Sequence, residues 1–244
     1  MTKIDQYVKS LSSLADKKAY LLQESGLPGP RGNLELAAAM AKVGNLEEFL
    51  DYISYTPEQA PVNSPYEFLV FCGVLGLGRL AADGAREYLP VLRSFASDPR
   101  WRTREAVAMG LQLIGDRDMD FLLSEMQVWS RGSAYEQRAV AAGLCEPRLL
   151  KNPEHCHEVL AILDRITASI LQQPDRKHEG FLALKKGLGY CWSVAAAALP
   201  AEGTAYMEKW LSSFDKDIHW IMRENLKKNR LIKAVPEWVS CWSE

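Results

Sequence analysis

Long apolar runs, a leader-like N-terminus, paired cysteines and histidine clusters are all missing from this sequence, and each absence excludes a class of protein. No uninterrupted apolar run reaches the ~18 residues expected of a membrane span. The opening Met1-Thr2-Lys3-Ile4-Asp5-Gln6 is too polar for a signal peptide, so a cytoplasmic chain with no membrane partner is expected. The five cysteines, Cys72, Cys145, Cys156, Cys191 and Cys241, are scattered and odd in number, which fits reduced thiols better than a disulfide framework. A dominant charge is lacking too. The net charge of −2 excludes a uniformly basic surface while leaving room for a local basic groove.

Signatures of catalysis are equally scarce. There are four histidines, and His155-Cys156-His157 is where they gather. Adjacent residues on a helix point about 100° apart, so at most two of these three could face one ion. No second cluster with zinc-finger spacing completes a metal site, and a solvated helix start after Asn152-Pro153 is expected instead. Gly73, Gly76 and Gly78 are not followed by Gly-Lys-Ser/Thr, so they do not make a phosphate cradle. No Gly-x-Ser-x-Gly elbow is present. No catalytic residue, cofactor or metal is predicted.

What is present is helix signal from end to end. The 48% apolar and 25% charged residues are an ordinary globular balance, able to bury a core. Ile4, Tyr7, Val8, Leu11, Leu14, Tyr20 and Leu21 keep to one helical face and predict a helix over 3–24. Gly26-Leu27-Pro28-Gly29-Pro30 stops it, and Asn33 caps a helix over 34–42. A short helix over 46–54 follows, then a surface loop over 55–64 containing Pro57, Pro61 and Asn63. Ser64-Pro65 opens a helix to about Asp83. Further helices are predicted near 85–97, 101–114, 117–130, 134–145, 154–172, 178–199, 203–213 and 217–230. A Trp-rich tail begins at Pro236; Trp238 and Trp242 would cap the last repeat or dock another chain. Strand-like alternation is absent. The fold class is all α.

One pattern occurs twice. Ser94-Phe95-x-x-Asp98-x-x-Trp101-x-x-Arg104-Glu105 returns as Ser213-Phe214-x-x-Asp217-x-x-Trp220-x-x-Arg223-Glu224. The offset is about three periods of a ~40-residue helical repeat. Ala106 to Leu111 also reads much like Ala139 to Leu144. The aspartate followed six residues later by an arginine on the second helix resembles HEAT repeats. That resemblance spans most of 65–232 at the level of helix pairing, though its sharp motif appears only twice. It implies a right-handed α-α superhelix, a HEAT/armadillo-like solenoid of antiparallel helix pairs in which Asp and Arg bridge neighbouring repeats. The chain would be a single domain, with irregular helices over 1–64, repeats over 65–232 and a cap over 233–244.

At 100° per residue, Ala106, Val107, Gly110, Leu111, Leu113 and Ile114 form the apolar arc of the helix that begins at Trp101. Trp101, Glu105, Ala108 and Gln112 fall opposite, with Arg104 at the margin. Trp220, Glu224 and Lys227 repeat the arrangement. Two readings follow. In one, each Trp packs over the turn between helices and the motif serves stacking. In the other, Trp101, Arg104, Glu105, Gln112, Arg138, Trp220, Arg223, Glu224 and Lys227 line a concave binding face for a protein or peptide. A nucleic acid is the alternative partner, because Tyr206-x-x-Lys209-Trp210-x-x-Ser213 running into the second motif, and Trp129 followed by Gln137-Arg138-Ala139, resemble the HEAT-like DNA alkylation-repair glycosylases (AlkC/AlkD type). That resemblance implies a basic groove with tryptophans framing damaged DNA and a carboxylate assisting base excision. The helix over 187–199 carries no acid, which departs from it.

Overall fold

A computed structural model describes residues 1–243. Every regular element among them is helical, and none is a strand. The chain divides into two compact units, Met1–Arg117 and Asp118–Glu244. The division falls inside the 65–232 stretch that the sequence reads as one run of repeats.

Unit 1 contains α1 (Lys3–Ser13), α2 (Lys17–Gln23), α3 (Leu34–Val43), α4 (Leu46–Ile53), α5 (Pro65–Ala82), α6 (Leu89–Ser94) and α7 (Trp101–Arg117). The single helix expected over 3–24 is two, because Asp16 accepts the Ala19 N–H and starts a new helix after Leu14. Short 3-10 turns flank α6, so the expected helix over 85–97 is tighter at both ends. Ser64 and Pro65 open α5 as their cap chemistry predicts. By length and composition α5 could cross a membrane, but 72% of it is buried against the rest of the protein. Its neighbours are α2, α3, α4, α6 and α7.

Helices α5 and α7 run in the same direction, since Glu67 meets Arg102 and Gly78 meets Gly110 further along both. A Cβ at Gly78 would lie 2.4 Å from the Gly110 Cα, so glycine at both positions allows this approach. The predicted apolar arc of α7 is buried at Ala106, Val107, Gly110, Leu111 and Ile114. Ala108, placed opposite by periodicity, is buried as well: α7 is packed on more than one side.

Unit 2 contains α8 (Met119–Trp129), α9 (Ala134–Leu144), α10 (Pro153–Ser169), α11 (Glu179–Ala198), α12 (Pro200–Leu211), α13 (Lys216–Leu226), α14 (Asn229–Ala234) and α15 (Pro236–Ser243). Successive antiparallel-type pairs put α12 between α11 and α13 in sequence, while α11 and α13 pack directly and in parallel, with contacts advancing from Lys185–Asp217 to Ser193–Asn225. This same-direction packing of every second helix is compatible with a helical repeat. The tail from Pro236 is a helix, α15, set against α13 and α14 with Val239 buried.

Candidate functional site

The doubled motif supplies one site in each unit, and the two copies are held differently. In unit 1 Arg104 donates to the main-chain carbonyls of Asp98 (2.6 Å) and Pro99 (3.0 Å), closing the turn before α7. The Asp98 carboxylate pairs with Arg100 at 2.6 Å and accepts the Arg100 N–H. Arg100 also reaches the carbonyls of Tyr55 and Ala60, so this buried pair anchors the 55–64 loop. In unit 2 the helix cap is Asp215, which accepts from Asp217 N and Ile218 N. Asp217 instead pairs with Arg176 (2.9 Å) and Lys185 (2.8 Å), and Arg223 donates to the Trp242 carbonyl of α15 at 2.6 Å. Equivalent residues thus close a turn in one copy and fasten the C-terminal helix in the other.

Burial opposes ionisation of Asp215 and Asp217, but their cations outweigh it. Arg176 together with the Ile218 and Asp217 N–H groups holds the Asp215 carboxyl below its usual range. Lys185 and Arg176 do the same for Asp217.

The tryptophans of the motif are more exposed than the chain's other tryptophans. Trp101 is 47% exposed and Trp220 39% exposed. Trp129 and Trp192 are buried, the latter donating to Thr167 Oγ1 at 3.0 Å, and Trp210 is buried with its N–H on Asp164 at 2.8 Å. Trp129, read from sequence as a groove aromatic of the glycosylase type, is therefore a core residue of unit 2, because its indole is enclosed by the unit's own helices. His155, Cys156 and His157 diverge as helical geometry requires. His155 meets Asp120 at 2.9 Å, His157 meets Glu202 at 2.6 Å, and Cys156 turns into the core toward the Ala195 carbonyl.

Trp220 lies across Gly189 of α11; a Cβ there would come within 3.1 Å of the indole ring. The result is a groove of about 520 Å³ between α11 and α13, lined by Leu182, Lys185, Lys186, Tyr190, Trp220 and Glu224 among others. Leu182 and Tyr190 are each 51% exposed, so apolar surface is presented on both sides of the Trp220 ring. Lys185 sits over that ring at 4.7 Å, and Lys228 over Tyr190 at 6.0 Å. Most of these cations are already matched. Lys185 pairs with Asp217, and both Lys227 and Lys228 pair with Glu224. The Lys227 hydrogen bond keeps the Glu224 carboxyl below its ordinary range.

Of the nine residues predicted from sequence, Trp220 and Glu224 line this groove, and Lys227 reaches it only through its ion pair with Glu224. Trp101 and Glu105 meet at a separate cavity in unit 1, lined also by Phe68 and Phe71. Gln112 lies almost two turns beyond Glu105 on α7 and does not line that cavity. Arg138 of α9 packs its stem against Gly187 of α11, away from the Trp220 groove. Sequence reasoning missed Lys185, Lys186 and Tyr190, having searched that helix only for acids. The string Lys185-Lys186-Gly187-Leu188-Gly189-Tyr190 held the signal: cations and an aromatic flanking a glycine, Gly189, that admits a neighbour's ring.

No known family profile matches the chain. No curated protein matches it either. Among solved structures it is similar to the crystal structure of an engineered protein from the Northeast Structural Genomics Consortium, at 16% identity and over 98% of each chain. The TM-score is 0.35, too low for that likeness to carry an argument about fold or function.

Proposed function

We propose that this protein is a non-catalytic, HEAT-like helical scaffold that binds a peptide segment of a protein partner in the α11/α13 groove. The observation that carries this reading is the Tyr190–Trp220 aromatic pair, exposed on either side of Gly189 and ringed by lysines that mostly face their own carboxylates. Exposed aromatics beside a small residue favour insertion of an apolar side chain, and such anchors dominate peptide affinity. Lys186 and the partly compensated Lys228 favour an acidic residue next to that anchor.

Duplex DNA fits the same surface less well. Phosphate binding draws on several uncompensated cations, whereas Lys185, Lys227 and Lys228 are tied to Asp217 and Glu224. The groove therefore speaks for a peptide with a mixed or acidic character.

Peptide-library selection on the full chain tests this. Enriched sequences should pair an aromatic or long aliphatic residue with Asp or Glu, and Trp220→Ala should weaken them at least roughly tenfold. Selection that is indifferent to both Trp220→Ala and Tyr190→Ala would overturn the reading. So would tight duplex-DNA binding that Trp220→Ala abolishes.

A further inference from the structure

Building on the peptide reading of the α11/α13 groove, we infer that the segment bound there is proline-rich and held as a polyproline II helix.

The polar side chains around the groove are mainly donors. Lys185, Lys186, Lys228, Tyr190 and Trp220 bring N–H or O–H groups to its lining. Its one carboxylate, Glu224, is engaged by Lys227 and Lys228. Along the lined stretch of α11, from Leu182 to Tyr190, the backbone carbonyls are used within the helix itself. Three of the donors are free: among the described residues, nothing accepts from the Lys186 ammonium, the Tyr190 hydroxyl or the Trp220 indole N–H.

Such a lining discriminates among peptide backbones. An ordinary extended segment brings N–H groups that lose water and find no acceptor. A helical segment spends its carbonyls internally and leaves the free donors unmatched. Proline carries no N–H, and polyproline II makes no internal hydrogen bonds, so its carbonyls stay available to Lys186, Tyr190 and Trp220. It is also ordered before binding, which lowers the entropic cost.

Shape and charge agree. Leu182 and Tyr190, both half-exposed, are eight residues apart on α11, about 12 Å along its axis. About four residues of polyproline II cover that length. Trp220 crosses α11 at Gly189, and aromatic-lined grooves of this kind suit proline rings. Lys185 shields one face of the indole at 4.7 Å, so the ligand meets the other face or the N–H edge. The atoms against Gly189 are Cζ3 and Cη2, on the half of the indole away from the N–H. Lys186, which has no ion pair among the described residues, favours an acidic residue beside the prolines.

Calorimetry on the full chain tests this with three capped peptides. One is Glu-Leu-Pro-Pro-Leu-Pro-Pro-Glu, the second has alanine at every proline, and the third has α-aminoisobutyrate there, which favours a helix. The proline peptide should bind at least about fivefold more tightly than either analogue. Tyr190→Phe, which removes only the hydroxyl, should weaken it at least about threefold. The Trp220 indole N–H, assigned through Trp220→Phe, should shift in the NMR spectrum of the complex. Tighter binding of the α-aminoisobutyrate analogue overturns the inference in favour of a helical ligand. Equal binding of the proline and alanine forms overturns it as well, and so does indifference to Tyr190→Phe. Failure of the proline peptide while library-selected peptides bind through Trp220 overturns the proline inference alone. A library that yields no Trp220-dependent peptide overturns the groove reading with it.

Discussion

Identical residues do different work in the two copies of the motif because their neighbours differ. Arg104 closes its own turn, while Arg223 reaches the Trp242 carbonyl of α15. Asn225 shows how much one side chain can decide. Fully buried, it donates to the Leu188 carbonyl at 2.8 Å and accepts the Ser193 N–H at 2.7 Å, joining α13 to the backbone of α11 directly beneath the Trp220 groove. Replacing it by Leu removes both of these inter-helix bonds and leaves an apolar group against the polar backbone. Asn225→Leu is expected to cost about 2–3 kcal/mol, read from chemical denaturation, and to weaken peptide binding through displacement of α13. An unchanged denaturation midpoint would contradict this account. At Trp220 the expectation reverses: the indole is partly exposed, so Trp220→Ala should remove binding with a stability loss of only about 1 kcal/mol.

Among the elements, α5 and α7 depend on glycine where they cross. Gly78→Ala would drive a methyl into the Gly110 backbone, and overpacking of this kind costs about 1–3 kcal/mol. A lowered urea midpoint with the helical spectrum retained is the expected result. The start of α13 makes a pH prediction. The carboxyls of Asp215 and Asp217 titrate below their ordinary range in the folded chain, so their stabilisation is present above about pH 4 and is lost as pH falls through the folded values. Arg176→Gln removes the cation shared by both. It should cost about 1–2 kcal/mol near neutral pH, and the gap from the parent chain should close toward pH 2. Thermal melts across that range measure it, and a gap that stays constant would disprove the linkage.

At the scale of the whole molecule, two compact units each carry one copy of the motif, and each turns it to a different surface: an apolar cavity at Trp101, a lysine-edged groove at Trp220. The near-neutral total charge mirrors the local pairing of lysines with Asp217 and Glu224. Peptide binding in the groove should accordingly weaken only modestly with salt, unlike the steep loss typical of DNA binding. Thirteen of the eighteen residues of α5 are buried, so its amides should be among the slowest to exchange with deuterium in unit 1. Fast exchange across α5 would be inconsistent with its place in the core.

The sequence alone determined the helical class, most helix starts and the exposure of Trp101 and Trp220, because caps, turn residues and 100° periodicity are local rules. Ser64-Pro65, Asn33 and the apolar arc of α7 were all legible in this way. Tertiary structure alone decided which residues those tryptophans meet. Arg102 finds Glu67 and Gly29, and Tyr190 comes to stand beside Trp220, across separations that periodicity does not encode. It also decided that one motif serves two ends, because a side chain's role follows from its partners in space as well as from its place in the repeat.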